Sequence, residues 1–310
     1  MQTASAVKFG SSILSEEKSK FEKMSVRLKI ALQKKGRLAD ESFDLLKKIG
    51  LNFVANGQYL VLRCLDFPAD ILLLRDDDIP AFVSRGSADI GIVGQNIVRE
   101  SGKKVREIQK LGFGSCRLAV AVPKKSKFKK LKDLKNSIIA TEYPNSTKKF
   151  FRQLGIPVRL AELSGSAEIA PEMGIADAIV DIVDTGTTLE AHDLVPLEPP
   201  IFRSEAALVA DPKLSSAKKE LLKDLTSRIE AVQAAGNKKY VMLNCHEKNL
   251  SKIEKILPAL EAPTILPLAK KNEFALQSVA TEEEFWKALP KLKAAGAKDI
   301  LLLNVEKIVS

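Results

Sequence analysis

The sequence predicts an α/β protein with two α/β lobes and a smaller C-terminal βαββαβ domain. Three observations carry this expectation. Short apolar runs alternate with amphipathic stretches from Leu28 onward, and the alternation starts afresh after the apolar run Leu118–Val122. After Gly236 the order changes to strand, helix, strand, strand, helix, strand. Alternating strands and helices imply a mostly parallel sheet with helices on both faces. A length of 310 residues allows about two domains, and 45% apolar residues supply their cores.

The elements follow in order. Residues 1–25, rich in Ser, Lys and Glu, read as a flexible extension and lack the apolar core of a secretory signal. Leu28–Leu32 is a strand. A Lys-Lys-Gly-Arg turn leads into the helix Leu38–Ile49, closed by Gly50. Strands Tyr59–Leu65 and Ile71–Leu74 follow. Asp78-Ile79-Pro80 has the chemistry of a helix start, an acid at the cap and proline in the first turn. That helix ends at Gly86, and Ala88–Gly94 is a buried strand. Leu118–Val122 runs from the first lobe toward the second. There we expect strand Ser137–Ala140, helix Ser146–Leu154, strand Val158–Leu163, helix Ala167–Gly174 and strand Ala178–Val183. The proline-rich stretch Pro196–Pro200 returns the chain, Ala206–Ala210 is a strand and Lys218–Ala235 a linking helix.

Two such lobes joined by crossing strands resemble the periplasmic-binding-protein-like, bilobal solute-binding architecture, in which ligands sit between the lobes. The final unit has strands Tyr240–Cys245, Thr264–Leu268, Glu273–Ala280 and Ile300–Val305, with helices Leu250–Leu260 and Glu282–Ala295. That is the ferredoxin-like order. The expected domains are lobe I at 26–115 with 198–222, lobe II at 116–197, a linking helix at 223–236 and a regulatory domain at 237–310.

Composition narrows the function. A net charge of +10 favours acidic partners, nucleic acid or phosphorylated small molecules. The densest basic run, Lys124–Lys135, has seven lysines but one interleaved aromatic, Phe128. A solvated face is the better reading, and no nucleic-acid partner is expected. Cys64, Cys116 and Cys245 lie far apart and suggest neither a metal site nor a disulfide framework, which fits a cytoplasmic protein. Only His192 and His246 are present, which disfavours a Ser–His–Asp triad or a His-rich zinc site. Any catalytic metal is expected to be a hard ion on oxygen ligands. No apolar run reaches membrane-spanning length.

One stretch is chemically pointed. Asp181-Ile182-Val183-Asp184-Thr185-Gly186-Thr187-Thr188-Leu189 follows the apolar run Ala178–Val180. It reads as a strand ending in acids, then a hydroxyl- and glycine-rich turn, then a helix start. Such a turn offers N–H groups and three hydroxyls to one anion, aided by the helix dipole. The acids suit sugar hydroxyls or a magnesium ion. An ordinary strand–turn–helix with threonine caps is the plain alternative.

Four further stretches accompany it: Lys34-Lys35-Gly36-Arg37-Leu38, Arg75-Asp76-Asp77-Asp78-Ile79-Pro80, Leu111-Gly112-Phe113-Gly114-Ser115-Cys116-Arg117-Leu118 and Gly165-Ser166-Ala167-Glu168. Each is weak alone. In this order they resemble the ATP phosphoribosyltransferase family from about Arg27 to the C-terminus, in its long, hexameric, histidine-inhibited form. Val180 stands where ordinary phosphoribosyltransferases carry the first of two adjacent acids, which favours the ATP-using, bilobal kind.

The resemblance implies magnesium-dependent transfer of phosphoribose from phosphoribosyl pyrophosphate to nitrogen 1 of the adenine of ATP, with release of pyrophosphate. It implies feedback inhibition by L-histidine and a homo-hexamer in exchange with a dimer. Asp184, Thr185, Gly186, Thr187 and Thr188 are expected to cradle the donor 5-phosphate. Glu168 and Asp181 are expected to face the ribose hydroxyls or the donor's magnesium. Lys35 and Arg37 are expected to meet phosphates of ATP or pyrophosphate, with Gly36 permitting close approach. Asp78, Asp89 and Gly94 are candidates for the ATP pocket, and Arg117 for the cleft. Thr264, Leu266 and Leu268 are expected near the histidine effector, and Trp286 in the core or a subunit contact. A non-enzymatic solute-binding protein and a catalytically silent regulatory subunit are the rivals. The intact phosphate turn and the extra βαββαβ unit oppose them.

Overall fold

A computed structural model describes residues 26–53, 60–184 and 186–309. The expected extension 1–25, Thr185 and the start of the strand expected at Tyr59 lie outside the described residues. The chain forms two compact units, residues 1–225 and 226–310.

The first unit holds two sheets. In the first lie β1 (Leu28–Gln33), β2 (Val61–Arg63), β3 (Ala69–Leu74), β4 (Ile90–Gly94), β5 (Arg106–Lys110) and β11 (Ala206–Ala210). Its helices are α1 (Arg37–Lys48), α2 (Ile79–Ser84) and α3 (Gln95–Ser101). The second sheet holds β6 (Cys116–Pro123), β7 (Ile138–Thr141), β8 (Arg159–Glu162), β9 (Ala178–Val183) and β10 (Leu194–Ser204), with α4 (Pro144–Gln153) and α5 (Thr187–Ala191).

Strand order shows that the sheets are variations on one plan. The first runs β2-β3-β1-β4-β11-β5, and the second, reversed, β8-β7-β9-β6-β10. In each, three parallel strands are followed by one antiparallel strand that crosses from the other lobe, and that strand pairs with an edge strand. β6 enters the second sheet and β11 returns to the first. This is the bilobal, periplasmic-binding-protein-like arrangement.

The strands are nearly all apolar because both faces are covered. In the second sheet Leu118, Val120, Val122, Ile139, Val180 and Phe151 fill one side, and Ala119, Ala121, Ala140, Ile179 and Val183 the other. Parallel strands end on the same side of a sheet. The C-terminal ends of β1, β3 and β4 therefore present Lys34–Arg37, Arg75–Asp78 and Gly94, and those of β7 and β9 present Glu142 and Asp184.

Three expectations change. The helix expected at Ala167–Gly174 is one 3-10 turn, Ala167–Ile169, followed by turns. Pro171 lacks the N–H that would continue it, and Gly174 turns out at φ 69°. The stretch Pro196–Pro200 lies inside β10, an edge strand, where a missing N–H on the open side leaves no ladder bond unmade. That strand stays in the second sheet through Ser204, and the first sheet resumes at Ala206. α3 and β5 had no counterpart in the sequence reading.

In the second unit, α6 (Ser216–Ala235) leads from the first, and β12 (Lys238–His246), α7 (Glu247–Ile256), β13 (Thr264–Pro267), β14 (Glu273–Thr281), α8 (Glu282–Ala294) and β15 (Lys298–Asn304) follow. The sheet order is β13-β14-β12-β15. Val241, Leu243, Leu276, Ile253, Phe285 and Leu292 form its core. Thr281 and Glu284 make a capping box at the start of α8.

Candidate active site between the lobes

The two motifs placed at opposite ends of the catalytic region meet. Gly36 caps α1 at φ 99°, a conformation that only glycine enters without strain. Arg37 follows as the first helical residue, and its Nη1 lies 2.5 Å from Asp184 Oδ2 at the end of β9. The pair joins the lobes while staying open to solvent, with side chains 63% and 39% exposed. Lys35 is exposed beside it. Asp184 thus partners a cation rather than standing alone at the turn.

Gly186 caps α5, and Thr187 and Thr188 begin it with exposed side chains. α5 has only five residues. Its aligned dipole is therefore short, and the hydroxyl and N–H groups of the turn carry most of its capacity for an anion.

Beside this turn lies a field of acids. Asp181 is half-buried on β9; its Oδ1 accepts a hydrogen bond from its neighbour's N–H, that of Ile182, at 2.7 Å. Burial first, then the charges of Glu142 and Glu168, push its carboxyl up to about 6 against the pull of the Ile182 N–H. The Glu142 carboxyl is also raised, by burial and then by Glu168, Asp77 and Asp76. Asp77 is raised by burial, then by Asp76 and Asp78. Acids of both lobes therefore share one region, Asp76–Asp78 from the first and Glu142, Glu168 and Asp181 from the second. Among the described residues no three carboxylates are close enough to enclose a metal ion. The arrangement suits a hard cation that arrives with most of its ligands on a phosphate substrate and adds one or two protein carboxylates.

The candidates for the nucleotide pocket separate. Gly94 ends β4 at the lobe junction, where an added β-carbon would run into the Asn96 side chain. Asn96 is fixed by two bonds to Ser204, at 3.0 and 3.1 Å, and one to the Tyr143 hydroxyl at 3.4 Å. Asp78 closes the 3-10 turn after β3 and stands at the N-cap of α2, as expected, but its side chain makes no capping hydrogen bond. Asp89 is corrected outright. It sits just before β4, at the end opposite Gly94, a separation of about 16 Å along the strand. Its buried carboxylate takes Lys218 Nζ at 2.7 Å and the Lys29 N–H at 2.8 Å. It anchors β1 and the start of α6 and does not line the cleft.

Arg117 pairs with Glu198 at 2.8 Å and lines a cavity of about 560 Å³ with Lys110, Asp184, Arg203 and Glu205. Trp286 is 56% exposed, which excludes the core reading. His246 caps α7, accepting the Lys248 N–H.

Sequence reasoning missed Glu142 and the roles of Asp76 and Asp77. Glu142 directly follows β7, and an acid at the C-terminal end of a parallel strand was the available signal. It also missed Glu100 of α3. Its carboxylate accepts the N–H groups of Asn145 and Ser146 at 2.8 and 2.9 Å, capping α4 from the opposite lobe.

The profile described as ATP phosphoribosyltransferase matches residues 75–231, and that of the HisG C-terminal domain residues 235–307. A protein of Cytophaga hutchinsonii named ATP phosphoribosyltransferase is 46% identical over 286 residues, 92% of this chain and 100% of the relative. One from Parabacteroides distasonis with the same name is 43% identical over 282 residues, 91% and 99% of the two chains. A solved chain of the ATP phosphoribosyl transferase (HisG:HisZ) complex from Thermotoga maritima superposes with a TM-score of 0.57 at 30% identity, over 66% of this chain and 98% of that one. The chain belongs to the ATP phosphoribosyltransferase family, in the long form with an added C-terminal domain, and is a transferase of the first step of histidine biosynthesis.

Proposed function

We propose that the interlobe site moves phosphoribose from phosphoribosyl pyrophosphate onto nitrogen 1 of the adenine of ATP. The meeting of Arg37 with Asp184, just ahead of the helix start Gly186–Thr188 and beside the acids around Asp181, is the observation that carries this reading. Thr187, Thr188 and the N–H groups around Gly186 hold the donor 5-phosphate. Asp181 and Glu168 accept hydrogen bonds from the ribose hydroxyls, and their charge favours the positive character that the sugar gains as pyrophosphate leaves. Lys35 and Arg37 bind phosphate oxygens of ATP or of the departing pyrophosphate. A magnesium ion bound with the donor supplies charge neutralisation for that leaving group, and Asp181 is its best-placed protein ligand. Adenine nitrogen 1 already holds a lone pair, so its attack needs no base. The site is thus expected to accept 7-deaza-ATP and to leave 1-deaza-ATP unreacted. Turnover of 1-deaza-ATP would overturn the assignment of nitrogen 1.

We further infer inhibition by L-histidine through the C-terminal unit and assembly into hexamers in exchange with dimers in the cytoplasm. On β13, Ile265 packs inward while Thr264 and Leu266 turn outward, and Leu268 just beyond the strand is exposed as well. Leu266, Leu268, Leu301 and Leu303 are 45%, 37%, 51% and 52% exposed. An apolar sheet face of this kind supports self-association. Calorimetry with L-histidine on the full chain and on residues 1–225 tests the effector site. Undiminished binding by the shorter chain would sink it.

A further inference from the structure

A second cavity, of about 380 Å³, lies where α3 of the first lobe meets α4 and β10 of the second. It shares no residue with the acid cluster or with the phosphate turn. Its walls are Phe150, Ile201 and Phe202, and Arg99, Lys149 and Gln153 supply its polar groups. The Arg99 guanidinium lies 4.6 Å from the centre of the Phe202 ring, a stacking that fixes its plane while leaving its N–H edge available. Among the described residues no carboxylate pairs with Arg99 or Lys149. The nearest acid along α3, Glu100, has both oxygens taken by the N–H groups of Asn145 and Ser146. Two cations without counter-ions thus border one aromatic-walled space large enough for a single-ring molecule.

We infer that this seam cavity is a binding site for a small aromatic anion, an aryl phosphate or aryl carboxylate. The ring lies among Phe150, Ile201 and Phe202, and the anionic group accepts hydrogen bonds from Arg99 and Lys149. These cations belong to different lobes, so an occupant ties the lobes together behind the cleft. The inference concerns a site apart from the transferase reaction and stands whichever substrate the cleft takes.

Isothermal titration of the full chain with phenyl phosphate, in saturating phosphoribosyl pyrophosphate and magnesium, tests it. Parallel arms use inorganic phosphate and phenol. The variants are Arg99→Gln and Lys149→Gln, each checked for a wild-type unfolding midpoint. Expected is saturable binding of phenyl phosphate, weakened about tenfold in each variant as one charged hydrogen bond is lost. Inorganic phosphate and phenol are expected to bind at least tenfold more weakly. Absence of saturable binding, equal binding by either variant, or equal binding of inorganic phosphate would overturn the inference.

Discussion

Replacing Asp181 with asparagine should raise stability and abolish turnover together. Asn keeps the shape of the side chain and the oxygen that accepts the Ile182 N–H, and removes only the charge. The carboxyl is held at about 6, against an ordinary 3.8. The folded state therefore binds this proton more tightly than the unfolded chain does. Below about pH 4 both states are protonated and the residue is neutral to stability. As pH rises through 4 to 6 the unfolded chain ionises first and the folded state loses stability; above 6 the loss is complete. The full shift corresponds to about 3 kcal/mol, and solvent around a half-buried group reduces this to about 1–2 kcal/mol. In a unit of this size that is a rise of about 3–6 °C in Tm at pH 8, shrinking toward zero at pH 4. Thermal unfolding of both proteins from pH 4 to 8 reads it. A variant no more stable than wild type at pH 8, or a gap independent of pH, refutes the argument that burial, with the neighbouring acids, makes the Asp181 charge costly to the fold.

Three other substitutions probe separate parts of the account. Arg37→Gln removes a solvent-exposed ion pair, so Tm should stay at the wild-type value while kcat/KM for the donor falls about 100-fold; near-normal kinetics would remove Arg37 from the site. Gly94→Ala pushes a methyl group into the pinned Asn96 side chain and should lower stability by about 1–3 kcal/mol in urea titration; an unchanged midpoint would mean that Asn96 swings away freely. Lys218→Met leaves the Asp89 carboxylate buried without its cation and should destabilise by about 2–4 kcal/mol, whereas retained stability would show that solvent reaches Asp89.

Fully covered strands were the most legible part of the fold. β4 and β11 are continuous apolar runs, β1 and β9 are apolar runs broken by Lys29 and Asp181, and the existence of all four follows from that pattern. β5, reading Arg-Glu-Ile-Gln-Lys, is a charged edge strand whose pairing comes from β11 rather than from apolar pattern. α3 has seven residues and no side-chain cap, so tertiary contacts with the second lobe hold it. The turn between β9 and α5 was legible because Gly186 among hydroxyl residues, straight after an apolar run, marks a strand end and a helix start. Asp89 misled because its neighbours in sequence approach the cleft while it stands at the far end of the strand. Glu100 acts across the lobe junction, and a pairing between residues so distant in sequence leaves no local trace, whereas Glu142 was readable only as an acid directly after a strand.

The most direct measurement is pyrophosphate release by the purified full chain given ATP and phosphoribosyl pyrophosphate, with and without magnesium. Steady release that needs both substrates and the metal, and that is lost in Asp181→Asn, is predicted. A pure, folded protein that releases no pyrophosphate, or an Asp181→Asn variant that turns over normally, would contradict the placement of the reaction between the lobes.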